Sequence, residues 1–311
     1  MAVPPHSSPH EPAGAQPEMT VCARHPDRPT GLRCTRCGRP ACPECLLEAS
    51  VGHQCVDCVA GARRTVRRPV TVAGAPLRGR PLVVPVLIAV NVLLYLVTAI
   101  QANSAGDNQH AELFRDWTLW PPAVTAGDWW RLLTSGFLHF GPIHLALNMV
   151  SLWVLGRDLE LVLGRLRFVA VYVLSLIGGS AAVFLFGDLG QQVAGASGAV
   201  FGLMGAMLVA VIRLRLNPGM ALGVIALNLV LSVSVQNISL LGHIGGLVVG
   251  ALAMVGMVYS PARNRTAWQA GTLAVLFVAL VGLVVFRDVT LAETIECQRV
   301  PELECFYRSG S

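Results

Sequence analysis

Two residues in separate parts of the chain could together perform nucleophilic catalysis. Ser197 lies in the sequence Gly195-Ala196-Ser197-Gly198, where glycines allow close backbone approach and unusual φ values around a hydroxyl. His243 follows Gly242 in a second glycine-rich segment. A histidine within hydrogen-bond distance of a serine can accept its proton and make the hydroxyl a nucleophile. The pair therefore predicts covalent hydrolysis, provided that the fold brings the two side chains together.

A third segment carries hydrogen-bond donors. His144 and Asn148 are four residues apart and therefore share one face of a helix, and both could donate to an oxyanion. Arg131 and His139 precede them. Each group alone has an ordinary interpretation, because a membrane serine usually bonds its own helix and a histidine can pack or bind metal. The HExxH motif of zinc proteases is absent, and the joint occurrence of the three segments favours serine chemistry.

A separate group of residues has the spacing of metal ligands. Seven of the nine cysteines fall between Cys22 and Cys58, in pairs with two residues between the members. This spacing lets both members of a pair reach one ion, so four pairs predict two tetrahedral zinc sites. By analogy with cross-braced zinc modules, pairs one and three would hold one ion, and pairs two and four the other. The pairs are Cys22–His25, Cys34–Cys37, Cys42–Cys45 and Cys55–Cys58.

The alternative for this segment is a disulfide-bonded knot. The odd number of cysteines, the histidine in a ligand position and the expected cytoplasmic setting weigh against it. His53 is a spare donor that could displace a cysteine ligand. About forty residues cannot build a large core, so metal binding would supply most of the folding energy. Closed four-ligand sites leave no open position for catalysis, which favours a docking or regulatory role for this zinc head.

Composition identifies the elements that must position these residues. Of 311 residues, 54% are hydrophobic and only 13% are charged, against about 25% charged in soluble domains. An ordinary cytosolic globule and a wholly disordered chain are both excluded. Apolar stretches of about 20 residues predict seven membrane spans. They are Leu82–Ile100, Ile143–Leu163, Phe168–Gly187, Val193–Ile212, Met220–Gln236, Leu240–Tyr259 and Trp268–Phe286.

Arginine placement predicts the orientation of the spans. Six arginines between 61 and 80, and those of alternate later loops, put the N-terminus inside the cell and the C-terminus outside. The basic stretch could instead bind nucleic acid, but an anchor beside the first span is the favoured interpretation. Cys297 and Cys305 then lie in an oxidising space, which predicts a disulfide, with free thiols as the alternative.

Glycine ridges on two spans suggest how the serine and the histidine meet. Gly242, Gly246 and Gly250 recur at every fourth residue, as do Gly198 and Gly202, and such faces let helices touch closely. If these faces meet, Ser197 and His243 come within hydrogen-bond distance near the outer surface. Because no aspartate lies at comparable depth, the sequence predicts a dyad rather than a triad.

These motifs resemble those of the rhomboid intramembrane serine proteases. The likeness rests on Trp130-Arg131, His139 with His144 and Asn148 (HxxxxHxxxN), Gly195–Gly198 (GxSG) and His243 with Gly246 and Gly250 (HxxGxxxG). The zinc head resembles a B-box-like finger. The resemblance implies an all-α membrane protein with a rhomboid core of six transmembrane helices and a seventh C-terminal helix.

The resemblance also implies roles for individual residues. Ser197 would be the nucleophile and His243 the general base, with His144, Asn148 and the Ser197 N–H forming the oxyanion hole. Arg131, His139 and Glu160 would be structural. Phe201 stands where many members have a tyrosine stacked on the histidine, and it keeps the ring without the hydroxyl.

The resulting expectation is a plasma-membrane endopeptidase that cleaves single-pass transmembrane substrates in the lipid bilayer near the outer face. Its zinc head would hold two structural Zn²⁺ ions and bind a protein partner, with no nucleic acid and no catalytic cofactor. Alternatives are a non-catalytic rhomboid-like binder of membrane helices, a transporter, and a zinc module that uses the spans as an anchor. The expected segments are a disordered N-terminus (1–20), the zinc-binding domain (21–60), a basic linker (61–80), the protease core (81–262), and the seventh helix with an extracytoplasmic tail (263–311).

Overall fold

The computed structural model describes residues 20–65, 69–77, 79–234, 238–299 and 303–307, and most of them are helical. Backbone contacts divide the chain into two compact units, residues 1–68 and residues 69–311. The predicted disordered N-terminus, apart from Thr20, lies outside the described residues. The finer segment boundaries expected from the sequence stay predictions.

The described part of the first unit consists of short strands, a single-turn 3-10 helix and one α-helix. Besides Ala41 and Leu46, its buried apolar cluster consists of five cysteines, so aliphatic packing contributes little to this unit. Strand β1 pairs with β2, and β3 pairs with β4, both antiparallel. The elements are β1 (Thr20–Val21), β2 (Pro29–Thr30), β3 (Leu46–Glu48), β4 (His53–Cys55) and α1 (Val56–Thr65).

The second unit has the all-α architecture expected from the sequence. Six long helices, α2 and α6 to α10, form the core, and a seventh long helix, α11, follows. Three short helices occupy the long loop after α2. The helices are α2 (Val83–Gln101), α3 (Glu112–Trp117), α4 (Pro121–Thr125), α5 (Arg131–Thr134), α6 (Gly141–Leu163), α7 (Arg165–Phe186), α8 (Ser197–Arg213), α9 (Gly219–Ser234), α10 (Leu240–Val258) and α11 (Arg265–Thr294).

Length and composition support a multi-pass membrane protein. Four of the described helices are long and apolar enough to cross a bilayer, namely α2, α7, α10 and the helix ending at Thr294. A fifth span results if Arg131–Phe137 and Gly141–Leu163, bent by 93° at their junction, count as one. Helices α8 and α9 are apolar but shorter, with 17 and 16 residues. Each of the seven predicted spans thus overlaps one apolar helix, and the predicted end of the fifth span at Gln236 lies outside the described residues.

Two helix boundaries differ from those predicted. The fourth span was expected from Val193, yet α8 begins at Ser197, because Val193 pairs with Leu119 and Gly195 has φ +135°. A left-handed glycine of this kind cannot continue a helix. Conversely, α11 extends well beyond Phe286 to Thr294, and the chain then turns into a hairpin.

This C-terminal hairpin pairs β5 (Ile295–Arg299) with β6 (Leu303–Tyr307). Cys297 and Cys305 face each other across the two strands and form a disulfide, as the sequence predicts. The Cys297 sulfur also lies 3.6 Å from the Pro122 carbonyl oxygen of α4. The hairpin therefore contacts the long loop between α2 and α6.

Residues 69–77, inside the predicted basic linker, form a tight turn within the second unit. Ala73 and Ala75 are fully buried, and the Thr71 hydroxyl donates to the Val162 carbonyl at 2.5 Å. The Gln269 amide of α11 donates to the Ala73 carbonyl at 3.0 Å and to the Met257 carbonyl at 2.8 Å. This part of the segment is therefore anchored to the helices rather than extended.

Glu160 caps the first long helix from a distance in sequence. Its carboxylate accepts the N–H groups of Leu82 and Val83 at 2.7 and 3.0 Å, and that of Val84 at 2.9 Å. The side chain is 2% exposed. The first N–H groups of a helix have no partner within the helix, and a carboxylate there also opposes the helix dipole. Glu160 therefore has a structural role, as expected: it connects α6 to the N-terminal end of α2 through hydrogen bonds.

Glycines bring α8 and α10 into backbone contact. A methyl group on Gly246 would overlap the Gly198 carbonyl oxygen, and one on Gly250 would overlap the Gly202 carbonyl. Helices without side chains at a contact can approach until their backbones touch. The two predicted ridges therefore do meet, and they fix the spacing between the helices that carry Ser197 and His243.

We expect Gly246→Ala to destabilise the protein by about 1–3 kcal/mol, the usual cost of adding a methyl group to a filled contact. Denaturant unfolding in detergent micelles measures this change. Gly282→Ala on α11 is the matched control, because no atom lies within 4 Å of the added methyl group. Equal stability of the two variants would contradict the backbone contact.

Candidate active site

Ser197 and His243 form a hydrogen-bonded pair. The His243 Nε2 lies 2.8 Å from the Ser197 Oγ, although 46 residues separate them in sequence. Ser197 is the first residue of α8 and His243 lies in the first turn of α10, so the contact follows from the glycine packing of these helices. His243 is 6% exposed, whereas Ser197 is half-buried.

An aromatic ring fixes the plane of the histidine. Phe201, one turn after Ser197, stacks on the His243 ring with a centroid distance of 4.0 Å and an interplanar angle of 14°. The Ser239 hydroxyl caps α10 by accepting the Gly242 N–H at 3.2 Å. The stacking ring and the cap restrict the orientation of the imidazole relative to Ser197.

The four residues before Ser197 are held by the long loop. Leu119 and Val193 exchange two backbone hydrogen bonds, at 3.0 and 2.9 Å. The Gly195 N–H donates to the Ser135 carbonyl at 2.9 Å, and the Ala196 N–H donates to the His139 Nε2 at 3.4 Å. Irregular backbone at membrane depth needs such partners. His139, fully buried, thus positions the approach to the serine.

His144 presents a hydrogen-bond donor to this segment. The Phe140 N–H donates to the His144 Nδ1 at 3.3 Å, so a neutral ring carries its proton on Nε2. A Cβ on Gly195 would lie 2.9 Å from that Nε2 and 3.7 Å from the Ser197 Oγ. The Nε2–H therefore faces the space beside Ser197, and only glycine fits at position 195.

Asn148 lies one turn farther along α6 and is 6% exposed. Its side-chain amide donates to the His144 carbonyl at 3.0 Å. Within the described part of the chain, this amide makes no hydrogen bond to Ser197. The second amide hydrogen of Asn148 is the one that would remain for an oxyanion.

Arg131 organises the long loop from its interior. Its guanidinium pairs with Asp128 at 3.0 Å and donates to the carbonyls of Arg115 and Thr118 at 2.6 and 3.0 Å. Arg131 is 5% exposed and Asp128 is 2% exposed. A buried charge needs a paired partner and further hydrogen bonds, and Arg131 has both. The structural role expected for Arg131 agrees with this environment.

A small cavity opens beside the Ser197 hydroxyl. Its walls combine the glycine-rich face of α7 with the segment before Ser197 and the start of α10. The lining includes Gly136, Gly179, Ser180, Val183, Gly195 and Gly242. The cavity therefore offers room next to the nucleophile for a small group or a water molecule.

Sequence reasoning missed one residue in contact with the pair. Ser232 of α9 has its Oγ 2.6 Å from the His243 Nδ1. It also missed Asn108, a fully buried residue that bonds Thr98, the His139 carbonyl and the Gly141 N–H. In the sequence, Ser232 is only a polar residue in an apolar segment and Asn108 a polar residue in a loop. Neither pattern indicates which residue the side chain contacts.

Two clusters of possible metal ligands lie in the first unit, in the predicted pairing. The ligand atoms of each cluster all lie within 4.8 Å of one another. The His25 Nδ1 lies 3.4 Å from the sulfurs of Cys42 and Cys45, while the exposed His53 belongs to neither cluster. The clusters are Cys22, His25, Cys42 and Cys45, and Cys34, Cys37, Cys55 and Cys58.

Backbone hydrogen bonds favour the thiolate form in both clusters. The Cys55 N–H donates to the Cys34 sulfur at 3.2 Å, and this bond lowers the pKa of the Cys34 thiol to about 6. A backbone bond from Cys42 likewise lowers the pKa of Cys22 to about 6. Burial raises the pKa of Cys45 to about 11, and a hydrogen bond with Cys37 raises the pKa of Cys58 to about 12, so the thiolate form is favoured at one cysteine of each cluster and disfavoured at another.

Comparison with protein families identifies a match over the second unit. The family model described as "Rhomboid domain" matches residues 126–260. This range contains both members of the hydrogen-bonded pair, the two α6 donors and the Arg131–Asp128 ion pair.

Individual proteins match this chain over about half of its length. "Putative rhomboid protease YdcA" of Bacillus subtilis (strain 168) is 34% identical over 176 residues, which cover 55% of this chain and 85% of that protein. "Rhomboid protease GluP" of the same organism is 34% identical over 184 residues, or 58% of this chain. "RHOMBOID-like protein 5" of Arabidopsis thaliana is 40% identical over 134 residues, or 41% of this chain. The chain spans only 35% of GluP and 43% of the plant protein.

Proposed function

The chain belongs to the rhomboid family, and from this membership we propose that it is an intramembrane serine protease acting through Ser197 and His243. The observation that carries the proposal is the 2.8 Å contact between the His243 Nε2 and the Ser197 Oγ, next to a cavity. The substrates would be single-pass transmembrane proteins in the lipid bilayer, cleaved near the outer face of the membrane.

The proposed reaction begins when a substrate helix unwinds and presents a carbonyl to Ser197. His243 takes the hydroxyl proton while the oxygen attacks, and it then returns a proton to the leaving amine. The developing oxyanion would be bound by the Ser197 N–H, the His144 Nε2–H and the Asn148 amide. Water entering through the cavity then hydrolyses the acyl-enzyme. No metal or other cofactor takes part.

The alternative is a non-catalytic rhomboid-like protein that binds membrane helices. Such a protein needs neither a nucleophile nor a base. The pairing of Ser197 with His243 favours the protease, and so does the aromatic stack of Phe201 on the base. Binding without cleavage would be the outcome that favours the alternative.

We propose that the protein lies in the plasma membrane, with its N-terminus in the cytoplasm and its C-terminus outside the cell. Arg165 and Arg167 lie at the start of α7, Arg213 ends α8, and Arg157 lies in the last two turns of α6, all on the side predicted to be inner. The disulfide of the C-terminal hairpin fits an oxidising outer space. Ser197 and His243, near the starts of α8 and α10, then lie toward the outer leaflet.

We expect Ser197→Ala and His243→Ala to abolish cleavage of a single-pass membrane substrate and labelling by a serine-reactive fluorophosphonate. Both changes remove a reacting group while leaving the helix contacts in place. Gel-based cleavage in liposomes and probe fluorescence measure the two effects, with Ser234→Ala as the matched control. Cleavage by purified Ser197→Ala would refute the assignment.

Asn148→Ala should slow cleavage by about 10²–10³-fold, the usual cost of losing one oxyanion donor. Denaturant unfolding of the same variant in detergent micelles reports whether the protein is folded. Leu147→Ala, on the neighbouring exposed face of α6, is the control. An unchanged rate for Asn148→Ala would exclude this residue from the oxyanion hole.

We also propose that each cysteine cluster of the first unit holds one structural Zn²⁺ ion. Four ligands about 2.3 Å from a zinc ion lie about 3.8 Å apart in a tetrahedron. The 3.8 Å between the Cys37 and Cys55 sulfurs and the 3.4 Å contacts of His25 are close to this spacing. The zinc head would recruit a protein partner or regulate the protease, and it would not bind nucleic acid.

Elemental analysis of the purified protein should find two zinc ions per chain. Cys45→Ser should lower the content to one, because the second cluster has its own four ligands. His53→Ala should keep both ions, since His53 lies outside the clusters. Two ions in Cys45→Ser, or none in the unmodified protein, would contradict the proposal.

A further inference from the structure

Ser232 is a buried polar residue on a helix that otherwise has few buried side chains. Of the α9 residues, only Ile225 and Ser232 are buried, and Ser232 is 5% exposed. A polar group buried within the membrane usually serves a purpose beyond packing. Its Oγ contacts the His243 Nδ1 at 2.6 Å and the Asn228 carbonyl oxygen, one turn earlier, at 2.7 Å.

These two contacts favour one placement of the hydrogens. The Asn228 carbonyl has no hydrogen to give, so the Ser232 hydroxyl donates to it. The Ser232 oxygen then accepts the Nδ1–H of His243, and the Nε2 is left with a lone pair directed at Ser197. The opposite assignment protonates Nε2, and a ring in that form cannot take the Ser197 proton.

We infer that Ser232 is a positioning residue, which holds His243 in the reactive tautomer and stabilises the imidazolium formed when Ser197 loses its proton. During attack, the Ser197 proton moves to Nε2 while its electron pair forms the bond to the substrate carbonyl. The Nδ1–H stays on His243, and no proton leaves Ser232. The neutral oxygen supports the cation because its own hydrogen points away, toward Asn228.

This arrangement changes the interpretation of the predicted dyad. A carboxylate supports the histidine in many serine hydrolases. Among the described residues, no Asp or Glu is hydrogen-bonded to His243, and the Ser232 hydroxyl occupies the corresponding position at Nδ1. A neutral partner avoids the cost of burying a second charge in the membrane. The expected effect of Ser232 on the rate rests on the proposed protease function. Its expected effect on the tautomer rests only on the contacts among Asn228, Ser232 and His243.

The chain contains a close control for this inference. Ser234 lies two residues farther along α9 and makes the same type of bond to its own helix, at 2.8 Å to the Val230 carbonyl. It is exposed, so it faces away from the site. Ser234→Ala therefore removes an equivalent hydroxyl from the same helix without touching His243.

Steady-state cleavage of a single-pass substrate in liposomes tests the rate effect. Ser232→Ala should lower kcat about 10- to 100-fold with KM unchanged, as for a lost hydrogen bond to a charged group. Ser232→Thr, which keeps the hydroxyl, should recover most of the rate, and Ser234→Ala should stay within about twofold. A kcat of Ser232→Ala equal to that of the unmodified protein, or equal losses in Ser232→Ala and Ser232→Thr, would overturn the inference.

Nitrogen NMR of protein with labelled histidine rings tests the tautomer without relying on activity. The His243 signals, identified by their disappearance in His243→Ala, should show a protonated Nδ1 in the unmodified protein, in Ser232→Thr and in Ser234→Ala. Ser232→Ala should lose this preference. A protonated Nε2 in the unmodified protein overturns the inference. If cleavage proves independent of Ser197, the proposed function fails, while the ring protonation still decides the role of Ser232.

Discussion

The backbone contact between α8 and α10 is the constraint on which the candidate site depends. Gly246 packs against the Gly198 carbonyl, and Gly250 against that of Gly202, so the helix axes approach more closely than side chains would allow. At that spacing, a serine at the start of one helix reaches a histidine in the first turn of the other. The hydrogen bond therefore depends on the glycines at the helix contact as much as on Ser197 and His243 themselves.

A second set of contacts keeps the nucleophile accessible. If α8 had started at Val193, the backbone around Ser197 would have been enclosed in helical hydrogen bonds. Instead, residues 193–196 bond to Leu119, Ser135 and His139, and the helix starts at the serine itself. The first N–H groups of α8 are consequently left for other partners. The buried Arg131–Asp128 pair keeps the loop that supplies these contacts in one conformation.

The sequence predicted the helices and the residues of the site more completely than it predicted their connections. Hydropathy located all seven apolar helices, and glycine spacing identified the two faces that meet. The analogy with cross-braced zinc modules grouped the ligand pairs in the same way as the two observed clusters. Hydropathy placed the start of the fourth span at Val193, whereas the motif Gly195–Gly198 indicated a helix that opens around the serine, which agrees with the observed start at Ser197. Ser232 could not be identified, since a serine in an apolar helix most often bonds only its own backbone, and its second contact depends on tertiary packing. Glu160 was expected to be structural, but its role as an acceptor could not be predicted, because it requires a helix start nearly eighty residues away.

The cap supplied by Glu160 also has a consequence for biogenesis. The N–H groups that it accepts belong to residues 76–78 positions earlier in the chain. When the first span leaves the ribosome, its cap has not yet been translated, and those groups must stay hydrated at the membrane surface. The assembly of this bundle therefore has an order: α2 is synthesised first, and its N-terminal end is capped only after the second long helix has been synthesised and has packed beside it.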